Sequence, residues 1–178
     1  MNHTSDTQLA ATLQSAIGAG RVDQVAFLVE DLGVAIGRWS ALHRDETWRI
    51  YTYGLDNVEN LRYHGEPGRF SMRLALIGHS PQIELIQPLA GPSIYHDWIA
   101  RHGYGLHHFG FFVPSIADAV ARFEAAGHPT IQSGSGYGLD GDGGFAYFDF
   151  EDIYGIHLEA IEVPARRRPS EPLPEPRD

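Results

Sequence analysis

The sequence predicts an α+β fold made of two tandem βαβββ modules. Three observations predict it. Short runs rich in β-branched and aromatic residues alternate with segments of helical period. Capping and turn residues bound these runs. The two halves of the chain also repeat one another: VDQVAFLVEDLGVAIGRWSALH, residues 22–43, lies over LHHFGFFVPSIADAVARFEAAG, residues 106–127. In that superposition Val29, Ala35, Arg38 and Ala41 meet Val113, Ala119, Arg122 and Ala125, and IELIQ, 83–87, lies over LEAIE, 158–162. Self-similarity of this kind reports architecture.

Each element has a local reason. TQLAATLQSAI, 7–17, reads as a helix stopped by Gly18 and Gly20, so residues 1–20 form an N-terminal helical extension. The first module, 21–90, opens with a strand at 22–30. Asp31 then caps a helix expected to reach about Leu42. A strand at 47–54, a polar loop, and a hairpin of 70–78 with 82–88 complete the module. Residues 91–104 form a linker helix. The second module, 105–163, repeats the plan: a strand at 105–113, a helix from Ser115 ended by Gly127, a short strand at PTIQ, and strands at 145–150 and 155–163. The glycine-rich stretch 133–144 is expected to be a long loop acting as a mobile lid. The proline-rich, charged segment 164–178 is expected to be disordered.

Composition excludes several function classes. No apolar run approaches the roughly 18 residues of a membrane span, and the first residues lack the basic start and apolar core of a secretory signal. The expectation is a cytoplasmic protein with no membrane partner. A formal net charge of -10 argues against a nucleic-acid partner, which needs clustered positive charge. The chain has no cysteine, which removes thiol catalysis and thiolate metal sites. All 13 basic residues are arginine, which removes Schiff-base and phosphate-loop lysines.

The stretch GLHHFGFFV, 105–113, reads as a buried strand that carries two histidines. Alternation along a strand points His107 and His108 opposite ways. The repeat sets His108 over Gln24 and Glu159 over Glu84. Each half thus offers one polar group in its first strand and one carboxylate in its last. The residue two places on, Ala26 or Gly110, is small and leaves room beside that polar group. Two carboxylates gathered in a low-dielectric cavity repel unless one keeps a proton, and a divalent cation removes the conflict. One nitrogen and three oxygens suit zinc, nickel, cobalt, iron or manganese. Gln24, Glu84, His108 and Glu159 are therefore the predicted ligands of one divalent metal ion. Tyr51, Tyr53, Tyr104, Tyr137 and Tyr147 lie where they can line an aromatic pocket, and Arg69 and Arg73 are candidates to hold an anion.

Over about residues 21–163 the chain resembles the vicinal oxygen chelate superfamily, which includes glyoxalase I, methylmalonyl-CoA epimerase, extradiol dioxygenases and bleomycin-resistance proteins. The resemblance rests on DQVAFLVEDL, QIELIQP, GLHHFGFFV and GIHLEAIE. It implies that the two modules form a curved mixed sheet around a central cavity. It also implies metal ligands from the first and last strands of each module, here Gln24, Glu84, His108 and Glu159. His107 is left for packing between sheet and helix. A Gln, Glu, His, Glu set is similar to that of eukaryotic-type glyoxalase I. Leu28 and Pro88 stand where that enzyme has its glutathione-binding arginine and asparagine.

The stretch GPSIYHDWIARHGYGLHH instead resembles the epimerase branch, whose base on a middle strand of the first module falls nearest to Glu66. The resemblance implies a metal-dependent isomerase, epimerase or lyase acting on a small apolar or acyl substrate. A proton next to a metal-bound carbonyl would be removed by Glu159, with Glu84 as opposing base or plain ligand. His157, Tyr104 and Glu66 are candidate pocket residues, and a homodimer is implied on family grounds. Two other readings remain open at this stage. One is a non-catalytic small-molecule binder of the resistance type. The other is an extradiol-type dioxygenase, which wants two histidines and one carboxylate on iron.

Overall fold

The computed structural model describes residues 6–18, 20–43 and 47–171. The N-terminal helix α1 spans Asp6–Ile17. The first module then runs β1 (Gln24–Leu28), α2 (Leu32–Trp39), β2 (Arg49–Tyr53), β3 (Glu59–Tyr63), β4 (Glu66–Pro67), β5 (Met72–Ile77) and β6 (Gln82–Pro88). Helix α3 (Ile94–His102) leads into β7 (Gly105–Phe112), α4 (Ile116–Ala125), β8 (Thr130–Tyr137), β9 (Gly143–Phe150), α5 (Glu151–Tyr154) and β10 (Ile156–Glu162). The helices begin where the sequence supplies caps: Asp31 accepts from the Val34 amide, Ser93 from His96 and Ser115 from Asp118. Helix α2 ends at Trp39, short of Leu42; the Ser40 hydroxyl donates to the Ile36 carbonyl at 2.7 Å and closes its last turn. No helix among the described residues is long and apolar enough to cross a membrane.

All strands join one sheet in the order β2-β5-β6-β1-β7-β10-β9-β8-β3-β4. β1 pairs parallel with β6, and β7 parallel with β10, so the first and last strands of each module are neighbours. The modules join where β1 meets β7 antiparallel. The sheet curls on itself: Tyr53 on β2 and Tyr137 on β8, seven places apart in strand order, have ring centroids 5.1 Å apart. This is the curved mixed sheet around a cavity that the family resemblance implies. Its inner face holds one apolar cluster drawn from both modules, including Leu74, Tyr95, Phe145 and Tyr147. Two further clusters lie on the outer face. One, beneath α2, includes Ile36, Ala75 and Leu85; the other, beneath α1 and α4, includes Ile17, Phe111, Phe123 and Phe148. Helix α1 therefore packs against α4 on the outside of the second module.

Several expectations change. The stretch after Gly54, read as a polar loop, contains the β3–β4 hairpin, which extends the far edge of the sheet through β8. The glycine segment 133–144 is mostly strand: β8 continues to Tyr137 and β9 starts at Gly143, leaving only a tight turn. Cross-strand packing explains this, because Gly134 and Gly143 sit where a Cβ would strike the rings of Phe145 and Tyr137. The tail expected to be disordered is placed over 164–171: Ser170 donates its amide to the Ile50 carbonyl at 2.8 Å, and Glu171 bridges to Ile50. Residues 1–5 of the extension and 172–178 of the tail lie outside the described residues.

Candidate metal centre

The polar groups of this site share their strand faces with buried Ala26, Leu28, Ile86 and Ile161 and with the polar Gln82 and His157. Gln24, Glu84, His108 and Glu159 are all buried, between 0% and 6% exposed. They sit on β1, β6, β7 and β10, the four adjacent strands in the middle of the sheet. The ligand atoms of Glu84, His108 and Glu159 lie within 4.8 Å of one another. His108 Nε2 is 3.0 Å from Glu159 Oε2 and 3.4 Å from Glu84 Oε2. The Gln24 amide faces the same two carboxylate oxygens at 3.3 Å each. All four residues singled out by the internal repeat thus converge on one point.

The electrostatics are those of an anionic cage. Burial pushes the Glu84 carboxyl up; His108 pulls it down, and the Glu159 charge adds to the rise. Burial disfavours a charged His108, but the two carboxylates outweigh it and raise the ring to about 9. A proton on His108 is one way to hold the carboxylates together, and a divalent cation is another. The Gln24 amide serves either arrangement. With its nitrogen inward it donates to Glu84 and Glu159; with its oxygen inward, and Nε2 donating to Gln82 Oε1 at 3.1 Å, it adds an oxygen donor to the cage. Two carboxylates, an imidazole nitrogen and an amide that can turn its oxygen inward are a donor set that fits a metal ion of the kind that takes oxygen and nitrogen.

Gly110 gives this arrangement its room. It pairs with Gln24 on one side and Glu159 on the other. A Cβ at Gly110 would lie 2.8 Å from Ile161 Cδ1 and 2.9 Å from Gln24 Oε1. The Gln24 side chain therefore occupies the space the missing Cβ leaves. Gly110→Ala is expected to push the Gln24 amide off the cage and weaken zinc uptake roughly 10- to 100-fold, the loss typical of disturbed ligand positioning. Unchanged zinc affinity by competition with a chromophoric chelator would show that Gln24 is not needed.

The two histidines do not point opposite ways. The β1–β7 register shifts between Ala26 and Phe27, whose partners are His108 and Leu106, so His107 is the extra residue of a β-bulge. The bulge turns both rings to one side, with their Nδ1 atoms 2.8 Å apart. Burial, and then His108, hold His107 well below the usual histidine range, so its ring stays neutral. A neutral His107 accepts the Nδ1 proton of His108 and leaves His108 Nε2 facing the carboxylates. His107 also meets the α3 side chains Tyr95 and Trp98, with ring centroids 5.4 and 5.2 Å away. It does pack between sheet and helix, as expected, but beside the cage rather than behind the sheet.

The remaining candidates divide. Tyr53, Tyr137 and Tyr147 line the inner recess with Glu84 and Glu159. Burial raises Tyr53 to about 12 and lifts Tyr137 and Tyr147 further, so all three are neutral hydroxyls. His157 is buried but lies behind His107, at a centroid distance of 5.1 Å, next to Trp98. Burial lowers it to about 4. Glu66 is exposed on the edge hairpin, and Tyr104 is 52% exposed before β7, so neither is brought to the recess. Arg73 is held in a two-pronged pair by Glu171. Sequence reading missed Arg167, which lines the recess from the tail. Nothing in its local pattern, ARRRP, marks one arginine out from its neighbours.

The recess itself has about 30 Å³ of space, enough for an ion or a water. It continues past Gln24, Ile161 and Arg167 into an outer chamber of about 330 Å³, bounded by Arg49, Tyr51 and Phe112.

The sequence matches the Glyoxalase/Bleomycin resistance protein/Dioxygenase superfamily over residues 23–148, which is most of both modules. The chain belongs to this superfamily. Among solved structures, this superfamily member is similar to a hypothetical protein of Bacillus halodurans, at 19% identity and a TM-score of 0.55, covering 83% of this chain and 97% of that one. It is similar to a variant Streptomyces coelicolor methylmalonyl-CoA epimerase in complex with 2-nitronate-propionyl-CoA, at 19% identity and a TM-score of 0.54, covering 84% and 98%. A Mycobacterium tuberculosis methylmalonyl-CoA epimerase matches at 21% identity and a TM-score of 0.53, covering 84% and 91%. These likenesses establish the vicinal oxygen chelate fold. No curated protein matches the sequence.

Proposed function

We propose that the protein is a metal-dependent isomerase or epimerase that moves a proton next to a carbonyl of a small acyl substrate. One observation carries the reading: two buried carboxylates, an imidazole and a glutamine amide converge from the first and last strands of both modules. Gln24, Glu84, His108 and Glu159 would hold one divalent ion. Bound there, such an ion acts as a Lewis acid toward a substrate carbonyl oxygen. The chain supplies the rest. The inner recess is too small for more than the reacting end of a substrate, so the bulk of the substrate occupies the outer chamber. The aromatic walls of the recess leave little room for water beside the reacting end. In this reading Glu159 takes the proton, and Glu84 serves as the opposing base or as a plain ligand.

The epimerases of similar fold are recorded with acyl-CoA esters, including methylmalonyl-CoA. Acyl-CoA thioesters are for that reason the first substrate class to test, and a soluble homodimer is the proposed state. The three oxygen donors favour this reading over an iron dioxygenase. Elemental analysis of chelator-washed and zinc-reconstituted protein tests it, followed by deuterium wash-in from heavy water into acyl-CoA and 2-oxo substrates. The expected result is about one ion per chain, lost in His108→Ala, with exchange at the carbon next to the carbonyl. A wild-type protein that takes up no ion sinks the reading.

A further inference from the structure

Residues 164–171 bring a positive charge to the cavity from a part of the chain that no strand pattern predicts. The segment is fastened at both ends. At one end Pro164 packs on Gly138, whose φ of 93° and lack of a side chain permit the approach; a Cβ there would lie 2.5 Å from the proline ring. The Leu139 amide donates to the Arg166 carbonyl at 3.0 Å, the Ala165 amide donates to Asp142 at 2.9 Å, and Arg166 pairs with Asp140. At the other end Ser170 bonds to the edge of β2 through the Ile50 carbonyl and the Thr52 amide. Glu171 pairs with Arg73 there. The strap thus crosses from the β8–β9 turn to β2, and Arg167 lies under its middle.

Arg167 is not paired with any carboxylate among the described residues. Its guanidinium lies 5.6 Å from the Tyr51 ring centroid and 5.3 Å from that of Tyr137. Among the described residues its one hydrogen bond, to the Tyr137 hydroxyl, is 3.5 Å long, and its Nε is buried without a partner. Arg167 borders both the recess and the outer chamber, whereas Arg49 borders only the chamber. Two carboxylates and a divalent ion sum to zero charge, which leaves Arg167 as the surplus positive charge at the reacting end. A half-buried guanidinium that has no carboxylate partner among the described residues, and whose Nε is shut off from water, is open to an anion, and its planar fork matches a carboxylate. A phosphate dianion would leave the recess with excess negative charge.

We propose that Arg167 is a specificity-determining residue that binds a carboxylate on the substrate. The substrate would then carry that carboxylate beside the carbonyl whose neighbouring proton moves. This deepens the proposed function and rests on it for the position of the carbonyl.

The test uses zinc-reconstituted full-length protein and two small probes, monomethyl malonate and its uncharged analogue dimethyl malonate. Binding is followed by calorimetric titration in wild type, Arg167→Gln and Arg167→Lys, with zinc content measured on each sample. Arg167→Gln is expected to weaken monomethyl malonate roughly 10- to 100-fold while dimethyl malonate changes less than about twofold. Arg167→Lys should keep part of the preference. Equal weakening of both probes, or of neither, overturns the proposal and makes Arg167 a packing residue over the tyrosines. So does a wild type with no preference for the charged probe. Failure of the metal reading is separately visible, as absence of zinc from wild-type samples.

Discussion

Zinc at about a hundred times its Kd is expected to stabilise the protein by about 2.7 kcal/mol, and His108→Ala is expected to erase that gain. For a chain of this size the gain corresponds to a rise in Tm of roughly 5–11 °C. The reason is the cage. Glu84 and Glu159 are 6% and 5% exposed, and in the metal-free protein the charged His108 holds them together. An ion that binds only the folded arrangement adds its binding free energy to folding. Removing the imidazole takes away the single nitrogen donor and leaves two buried carboxylates facing one another, so one of them takes up a proton. Thermal melts of both proteins with and without zinc measure the difference. A variant that melts higher with zinc by the same amount as wild type would show that the ion binds elsewhere.

The second large effect concerns the proton. Glu159→Gln keeps the shape of the side chain and its oxygen donor but removes the base. Deuterium wash-in on any substrate that the wild type labels is expected to fall roughly 10²–10⁴-fold, the usual contribution of a positioned general base. The substituted side chain still fits, because its register partners on β7 and β9 are Gly110 and Tyr147, and its amide oxygen can accept from His108 Nε2 as the carboxylate does. Zinc binding should weaken but remain measurable, so the loss of exchange can be read on metal-loaded protein. Full exchange activity in Glu159→Gln, together with its loss in Glu84→Gln, would exchange the two roles.

The cage residues were legible in the sequence because their positions follow from short-range rules. Strand side chains alternate with period two, and the repeat aligns the strands of one module on those of the other. Matching Gln24 with His108 and Glu84 with Glu159 therefore needs no knowledge of the curl of the sheet. The parallel pairing of first and last strands then brings each pair side by side. The small residue at Gly110 was also legible, although only the structure shows that the Gln24 amide fills its space.

What the sequence by itself determined was the strand–helix opening of each half, the caps of α2 and α4, the repeat of the two halves and the four inward polar groups. All depend on contacts between near neighbours in the chain or on periodicity. Tertiary structure alone decided three other matters. The bulge at His107 arises from the register of β7 against β1, set by pairing between distant strands, and it reverses the direction in which that ring points. The glycine stretch became strand because Phe145 and Tyr137 pack over backbone that a side chain would have blocked. The strap at 164–171 is held by Asp140, Asp142, Ile50, Thr52 and Arg73, none of them near it in sequence. A segment with almost no apolar residues has no period to read. Its place is set by hydrogen bonds and ion pairs to groups that come together only after the sheet has curled.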